Sequence, residues 1–164
     1  MASGTGRRSA RTLAVIAVAA GALAAGCAPV TTLEPYAASD GVRGVLEEIT
    51  VNNLLVLSDG EGEPALVVAG LHNNSDETVV VGLEFGANGR TTVTVPAHDS
   101  VMLDPGSPEG ETVLLDAIDG APGSVTEVRV TTASAGSILL NVPILNGTLE
   151  PYGDYLARYG QPQD

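Results

Sequence analysis

The chain of 164 residues has no lysine, no tryptophan, one cysteine, one phenylalanine and two histidines. Three of its seven basic residues, Arg7, Arg8 and Arg11, crowd the first eleven positions. What remains is too sparse for the cationic surface that nucleic-acid affinity needs. A single cysteine excludes an internal disulfide and a cysteine-rich metal site. With Phe85 alone and no tryptophan, a core must be built from valine, leucine and isoleucine, which suit strands. His72 and His98 are the whole supply of imidazole, and no Gly-x-Ser-x-Gly turn accompanies them. Hydrolytic catalysis needs a nucleophile, a base and an orienting group in reach. The sequence shows no such set and reads as non-enzymatic.

Arg7, Arg8 and Arg11 precede a run of small and apolar residues at 13–25. As a helix this run is about 20 Å long, at ~1.5 Å per residue. The hydrocarbon core of a bilayer is roughly 30 Å thick, so the run is too short to span it. A buried core helix would need a polar face, which the run lacks. A basic start, a short apolar stretch and small residues after it make a secretory signal.

The run closes on Leu23-Ala24-Ala25-Gly26-Cys27, which resembles a bacterial lipobox. That resemblance implies cleavage between Gly26 and Cys27 and a diacylglycerol on the Cys27 thiol. Two acyl chains hold a membrane stably where one does so only marginally. The Arg-Arg pair sits in RRSART, a poor twin-arginine match, so the expected route is general secretion. The expected address is the outer face of the cytoplasmic membrane, with the lipid as anchor. Cys27 is then used up, although that compartment would permit a disulfide.

The expected organisation is a signal peptide at 1–26, a flexible tether at 27–43, a β-sandwich at 44–146 and a tail at 147–164. Without the signal, Arg43, Arg90, Arg129 and Arg158 face twenty acidic residues, which leaves −16. Such a body repels nucleic acid and does not lie flat on anionic lipid. An acidic solvated exterior is preferred to an acidic docking face. The tether has two prolines and no apolar period; its fourteen residues after Cys27 reach on the order of 20 Å as a coil.

Short β-prone runs predict strands at 45–58 (broken at Asn52-Asn53), 65–71, 78–85, 90–95, 100–103, 112–115, 125–132 and 137–144. Turn-rich stretches such as SDGEGEP, HNNSDE and DPGSPEG separate them, a spacing that suggests a sandwich or barrel. LVVAGL is apolar on both faces and suits a central strand. The predicted fold is all-β, an immunoglobulin-like or cupredoxin-like antiparallel sandwich. In the tail, Tyr152, Tyr155 and Tyr159 fall on one face of a helical turn. They read either as a short helix or coil packed on the sandwich, or as an exposed aromatic patch for a partner.

Metal readings are thin. Asp59, Glu61 and Glu63 alternate on a glycine-rich loop like the start of a calcium loop. The later bidentate glutamate is missing, so a hairpin turn is preferred. Three further features resemble the periplasmic PCu(A)C copper chaperones and related actinobacterial lipoproteins of the LpqE-like kind. They are the Asn-rich turn His72-Asn73-Asn74-Ser75 before a Val-rich strand, Val95-Pro96-Ala97 before another strand, and Ala135-Gly136 followed by Val142-Pro143. The resemblance spans residues 50–144. It implies a cupredoxin-like or immunoglobulin-like sandwich and copper(I) handed toward a respiratory oxidase.

Chaperones of that kind use two histidines and two methionines, including an H-x-M pair. Here that pair would fall in PGSPEGE, residues 105–111, where Glu109 and Glu111 are hard donors. Copper(I) prefers thioether and imidazole. The soft candidates are Met102, His98 and His72. His98 and Met102 lie roughly 13 Å apart if extended, unless a tight turn at 97–100 closes the gap. The expected function is a non-catalytic accessory or binding module with a degenerate copper-chaperone-like fold and no cofactor. The alternative is a copper(I) chaperone that serves a membrane complex such as a respiratory oxidase.

Overall fold

The computed structural model describes residues 39–161. The signal segment, Gly26, Cys27 and all but the end of the tether lie outside the described residues.

The described chain is nine strands and one short helix. β1 (Val42–Leu46) and β2 (Ile49–Ser58) form a hairpin, and β2 pairs on with β3 (Ala65–Asn73). β4 (Val79–Glu84) and β5 (Arg90–Val95) form a second hairpin around a 3-10 turn at Gly86–Asn88. β6 (Ser100–Leu103) and β7 (Val113–Leu115) both pair antiparallel with β3. β8 (Val125–Thr132) and β9 (Gly136–Leu145) are the last hairpin, and β8 also pairs with β4. Helix α1 (Tyr152–Tyr159) follows.

The predicted all-β class is what the structure shows. Its two antiparallel faces are one continuous sheet in the order β5-β4-β8-β9-β2-β3-β6, curled into a nearly closed barrel. β9 makes the join. It runs antiparallel to β8 from Gly136 to Pro143, then parallel to β2 at Ile144 and Leu145.

Alternation explains the core. Val128, Val130 and Thr132 of β8 are buried while Glu127 and Arg129 face outward. Leu54 and Val56 of β2, Ala65, Val67, Ala69 and Leu71 of β3, and the lone Phe85 fill the same interior. Each fully buried aliphatic contributes ~1.5–3 kcal/mol.

β2 and β3 are apolar on both faces, as LVVAGL suggests. Leu55, Leu57, Leu66 and Val68 point away from the main core and form a second cluster with Tyr152 and Leu156 of α1. These two helix residues are four apart and share one face. Gly153 sits so close to the preceding loop that a Cβ there would lie 2.7 Å from the Gly147 carbonyl oxygen. Only glycine permits that approach.

The predicted break at Asn52-Asn53 is corrected. The strand does not end there; it bulges, with the register slipping between Asn52 and Leu55. Asn53 adopts a left-handed φ of 50°, which asparagine tolerates better than most residues. Its Oδ1 accepts the Gly41 N–H at 2.8 Å. The true reversal is at Glu47-Glu48, where Glu47 has a φ of 49°. No turn residue marks that site, and the first strand begins at Val42 rather than at Val45.

Candidate functional site

Three outward-facing rows meet where β2, β3 and β6 lie side by side. Gly70 of β3 faces Asn52 of β2 on one side and Met102 of β6 on the other. His72 faces Ser100. His72 and Met102 are therefore diagonal neighbours on one face of adjacent strands, with Cβ atoms ~7–8 Å apart or somewhat less. Residue 70 has no side chain, and Met102 takes the space that one would fill. A Cβ at Gly70 would lie 3.3 Å from the Met102 sulfur, so the thioether rests over the glycine backbone.

Asn52, Asn53, Gly70, His72, Ser100, Met102 and Asp104 line a shallow groove of about 200 Å³ there. Drug-sized ligands occupy roughly 300–1,000 Å³, so this groove suits a side chain or an ion. The His72 Nδ1 and the Ser100 hydroxyl share a hydrogen bond of 2.9 Å, which orients the ring. Met102 is 45% exposed, so its side chain is open to a ligand from solvent. Two larger depressions lie beside α1 (460 Å³) and beside the 3-10 turn (300 Å³), and neither is lined by histidine or methionine.

His98 stands apart from this groove. It occupies the β5–β6 turn with a φ of 55°. Its Nε2 meets the Asp76 carboxylate at 2.8 Å, and its backbone N–H donates to the Ser75 carbonyl at 3.2 Å. The sequence pairs Met102 with His98 along one strand; the sheet puts Met102 beside His72 across two. The segment at 105–111 folds back on β6, with the Glu111 N–H donating to the Met102 carbonyl at 2.8 Å. Glu109 and Glu111 are both exposed. Among the described residues no three His, Cys, Asp or Glu side chains are grouped to hold a metal. The residues present supply two neighbouring soft donors, not the set of four.

Asn73 organises the turns around the groove, a role that the motif HNNS only hinted at. It is fully buried. Its amide nitrogen lies 2.7 Å from the Glu77 carbonyl and 3.1 Å from those of Val95 and Pro96. Its Oδ1 accepts from the N–H and the hydroxyl of Ser75. One side chain thus ties the β3–β4 turn to the β5–β6 connection. The loop at Asp59, Glu61 and Glu63 is a hairpin turn between β2 and β3, with all three carboxylates exposed.

The tail is helical from Tyr152 to Tyr159. Tyr152 is buried, and Tyr155 and Tyr159 are half-buried against the second cluster. The Tyr152 hydroxyl donates to the Asp40 carboxylate at 2.8 Å. Burial first, then Asp40, pushes the Tyr152 pKa up to about 12. Burial and Asp104 push that of Tyr155 up as well.

A raised pKa means the fold favours the neutral phenol. Its stabilisation is complete below the ordinary value of 10 and is lost as pH rises through about 12. Tyrosinate absorbance should therefore show late-titrating phenols, with that of Tyr152 near pH 12 and α1 loosening between pH 10 and 12. Tyr152→Phe should remove the step near pH 12 and cost about 1 kcal/mol. A late titration that is unchanged in Tyr152→Phe contradicts this assignment.

Neither a protein-family model nor a curated protein sequence matches the chain. Solved structures do. The apo PCuAC domain of PmoF2 is similar at a TM-score of 0.51 and 16% identity, over 66% of this chain and 98% of that one. The apo PCuAC domain of PmoF1 is similar at 0.51 and 19%, over 63% and 98%. The likeness is one of fold, to the PCuAC kind of domain that the sequence resemblance points to; the sandwich it implies is here curled into a nearly closed barrel.

Proposed function

We propose that this chain is a non-catalytic binding module, anchored by lipid at Cys27 on the outer face of the cytoplasmic membrane, with the β3–β6 groove as its binding face. The observation that carries the reading is the groove itself. It gathers the exposed Met102, seated over Gly70, and His72 with its ring oriented by Ser100 on a PCuAC-type barrel. A surface of this size takes part of a partner, such as a side chain of a membrane complex like a respiratory oxidase. The signal segment and the lipobox resemblance support the address, and the acidic body supports a partner other than nucleic acid.

The nearness of His72 and Met102 favours one further reading, a copper(I) chaperone with the ion as cargo. Thioether and imidazole are the donors that copper(I) prefers. Titration of the protein with copper(I) against a competing chelator separates the two. The module reading expects well under one copper per chain, unchanged in His72→Ala and Met102→Leu. One tightly held copper, lost in both variants, would replace it with the chaperone reading.

A further inference from the structure

The outer face of β2, β3 and β6 is one surface with two finishes. One end, Leu55, Leu57, Leu66 and Val68, is aliphatic and lies under α1. The other end, Asn52, Gly70, His72, Ser100 and Met102, is the open groove. Val68 belongs to both, since it packs with α1 and lines the groove. Asp104 does too, since it lines the groove and acts on the Tyr155 hydroxyl. The helix stops where the groove begins.

α1 is held from one side. Eight residues are too few to keep a helix in water, so it folds only while docked. Tyr152 and Leu156 are its buried residues, and Pro151 at its start makes no side-chain cap bond. Asp154, Ala157 and Arg158 are exposed. The main core lies on the opposite face of β2 and β3 and contains no residue of α1. The helix needs the sheet; the sheet's interior does not need the helix.

We propose that α1 is a detachable strap. It lifts from β2 and β3 as a unit while the barrel stays folded, and its release lengthens the groove along β3 from Gly70 to Leu66. The lengthening matters for binding only if the groove is the binding face; the release itself does not depend on that reading.

Hydrogen exchange of the full chain, read by mass spectrometry, tests the release. Amides of 153–160 should exchange at least ~10-fold faster than those of 65–71 and 128–132, through local rather than global opening. In urea below the unfolding transition, exchange of 153–160 should stay nearly flat while that of 128–132 rises steeply, because local opening exposes little surface. Leu156→Ala should speed α1 by about 10-fold and keep that flat dependence. If 153–160 and 128–132 exchange at one rate with one urea dependence, opening is global and the strap is overturned. Tyr152→Phe, which removes one hydrogen bond, allows the same comparison should Leu156→Ala fail to fold. No ligand takes part, so failure here overturns the strap and leaves the binding reading standing. Failure of the binding reading would instead appear as missing cross-links from groove positions.

Discussion

Asn73→Ala should lower the stability of the barrel by about 3 kcal/mol or more, the largest loss expected from any single side chain outside the aliphatic core. The side chain is fully buried and has no water to fall back on. Removing it takes a donor from the carbonyls of Glu77, Val95 and Pro96 and the acceptor from the Ser75 N–H. Glu77 keeps the Ser75 hydroxyl and Pro96 keeps the Asp99 N–H, so the loss falls mainly on Val95 and Ser75. A buried polar group left without a partner costs ~1–3 kcal/mol, and the truncation leaves a void besides. Some strain will relax at the exposed Glu77 and Pro96; Val95 lies in the core and cannot. Asn73→Asp, which keeps the shape, should be no better. It turns two donors into acceptors and aims them at three carbonyl oxygens. Urea unfolding measures the loss as a lower midpoint at unchanged slope. A change below about 0.5 kcal/mol, the level of an ordinary surface substitution, would mean that Asn73 does not hold the two turns together.

Cys27→Ser should be nearly all-or-none. If the Cys27 thiol carries a diacylglycerol, the thioether is the whole attachment, and each buried methylene contributes ~0.8 kcal/mol to it. A hydroxyl in place of the thiol cannot be alkylated in the same way. The wild-type protein should sediment with membranes and carry the mass of a diacylglycerol on a chain beginning at Cys27. The variant should lose both that mass and the membrane attachment conferred by mature Cys27. An unmodified Cys27 in the wild type, or identical fractionation and mass shift in the variant, contradicts the anchor.

Strands are where the sequence speaks most clearly, and the reason is physical. A period of two reports a half-buried sheet directly, as in β5 and β8, and an unbroken apolar run reports a covered strand, as in β3, so these three lie within two residues of their predicted ends. Asn52-Asn53 misleads because asparagine marks both turns and bulges. Its amide, bonded to Gly41, holds a bulge here. Glu47-Glu48 misleads in the opposite sense, since a left-handed glutamate carries no signature in composition.

The groove was the least legible part. Met102 meets His72 only because β6 pairs with β3, strands thirty residues apart in sequence. Distance along the chain favoured His98, which the β5–β6 turn carries off to Asp76. The closure through β9 is equally silent, because it rests on a parallel register of two residues with β2. Tyr152, Tyr155 and Tyr159 announced a helical face but not which side of it was covered. That depended on Leu55, Leu57, Leu66 and Val68 facing away from the core.

Binding through the β3–β6 groove, as proposed, is open to site-specific photo-cross-linking in native membranes. A photoreactive residue replaces Ser100 or Asn52 in the groove, or Thr92 on the exposed side of β5. Ser100 and Asn52 should give the same cross-linked species, and Thr92 none. Cross-links from Thr92 with none from the two groove positions would contradict it.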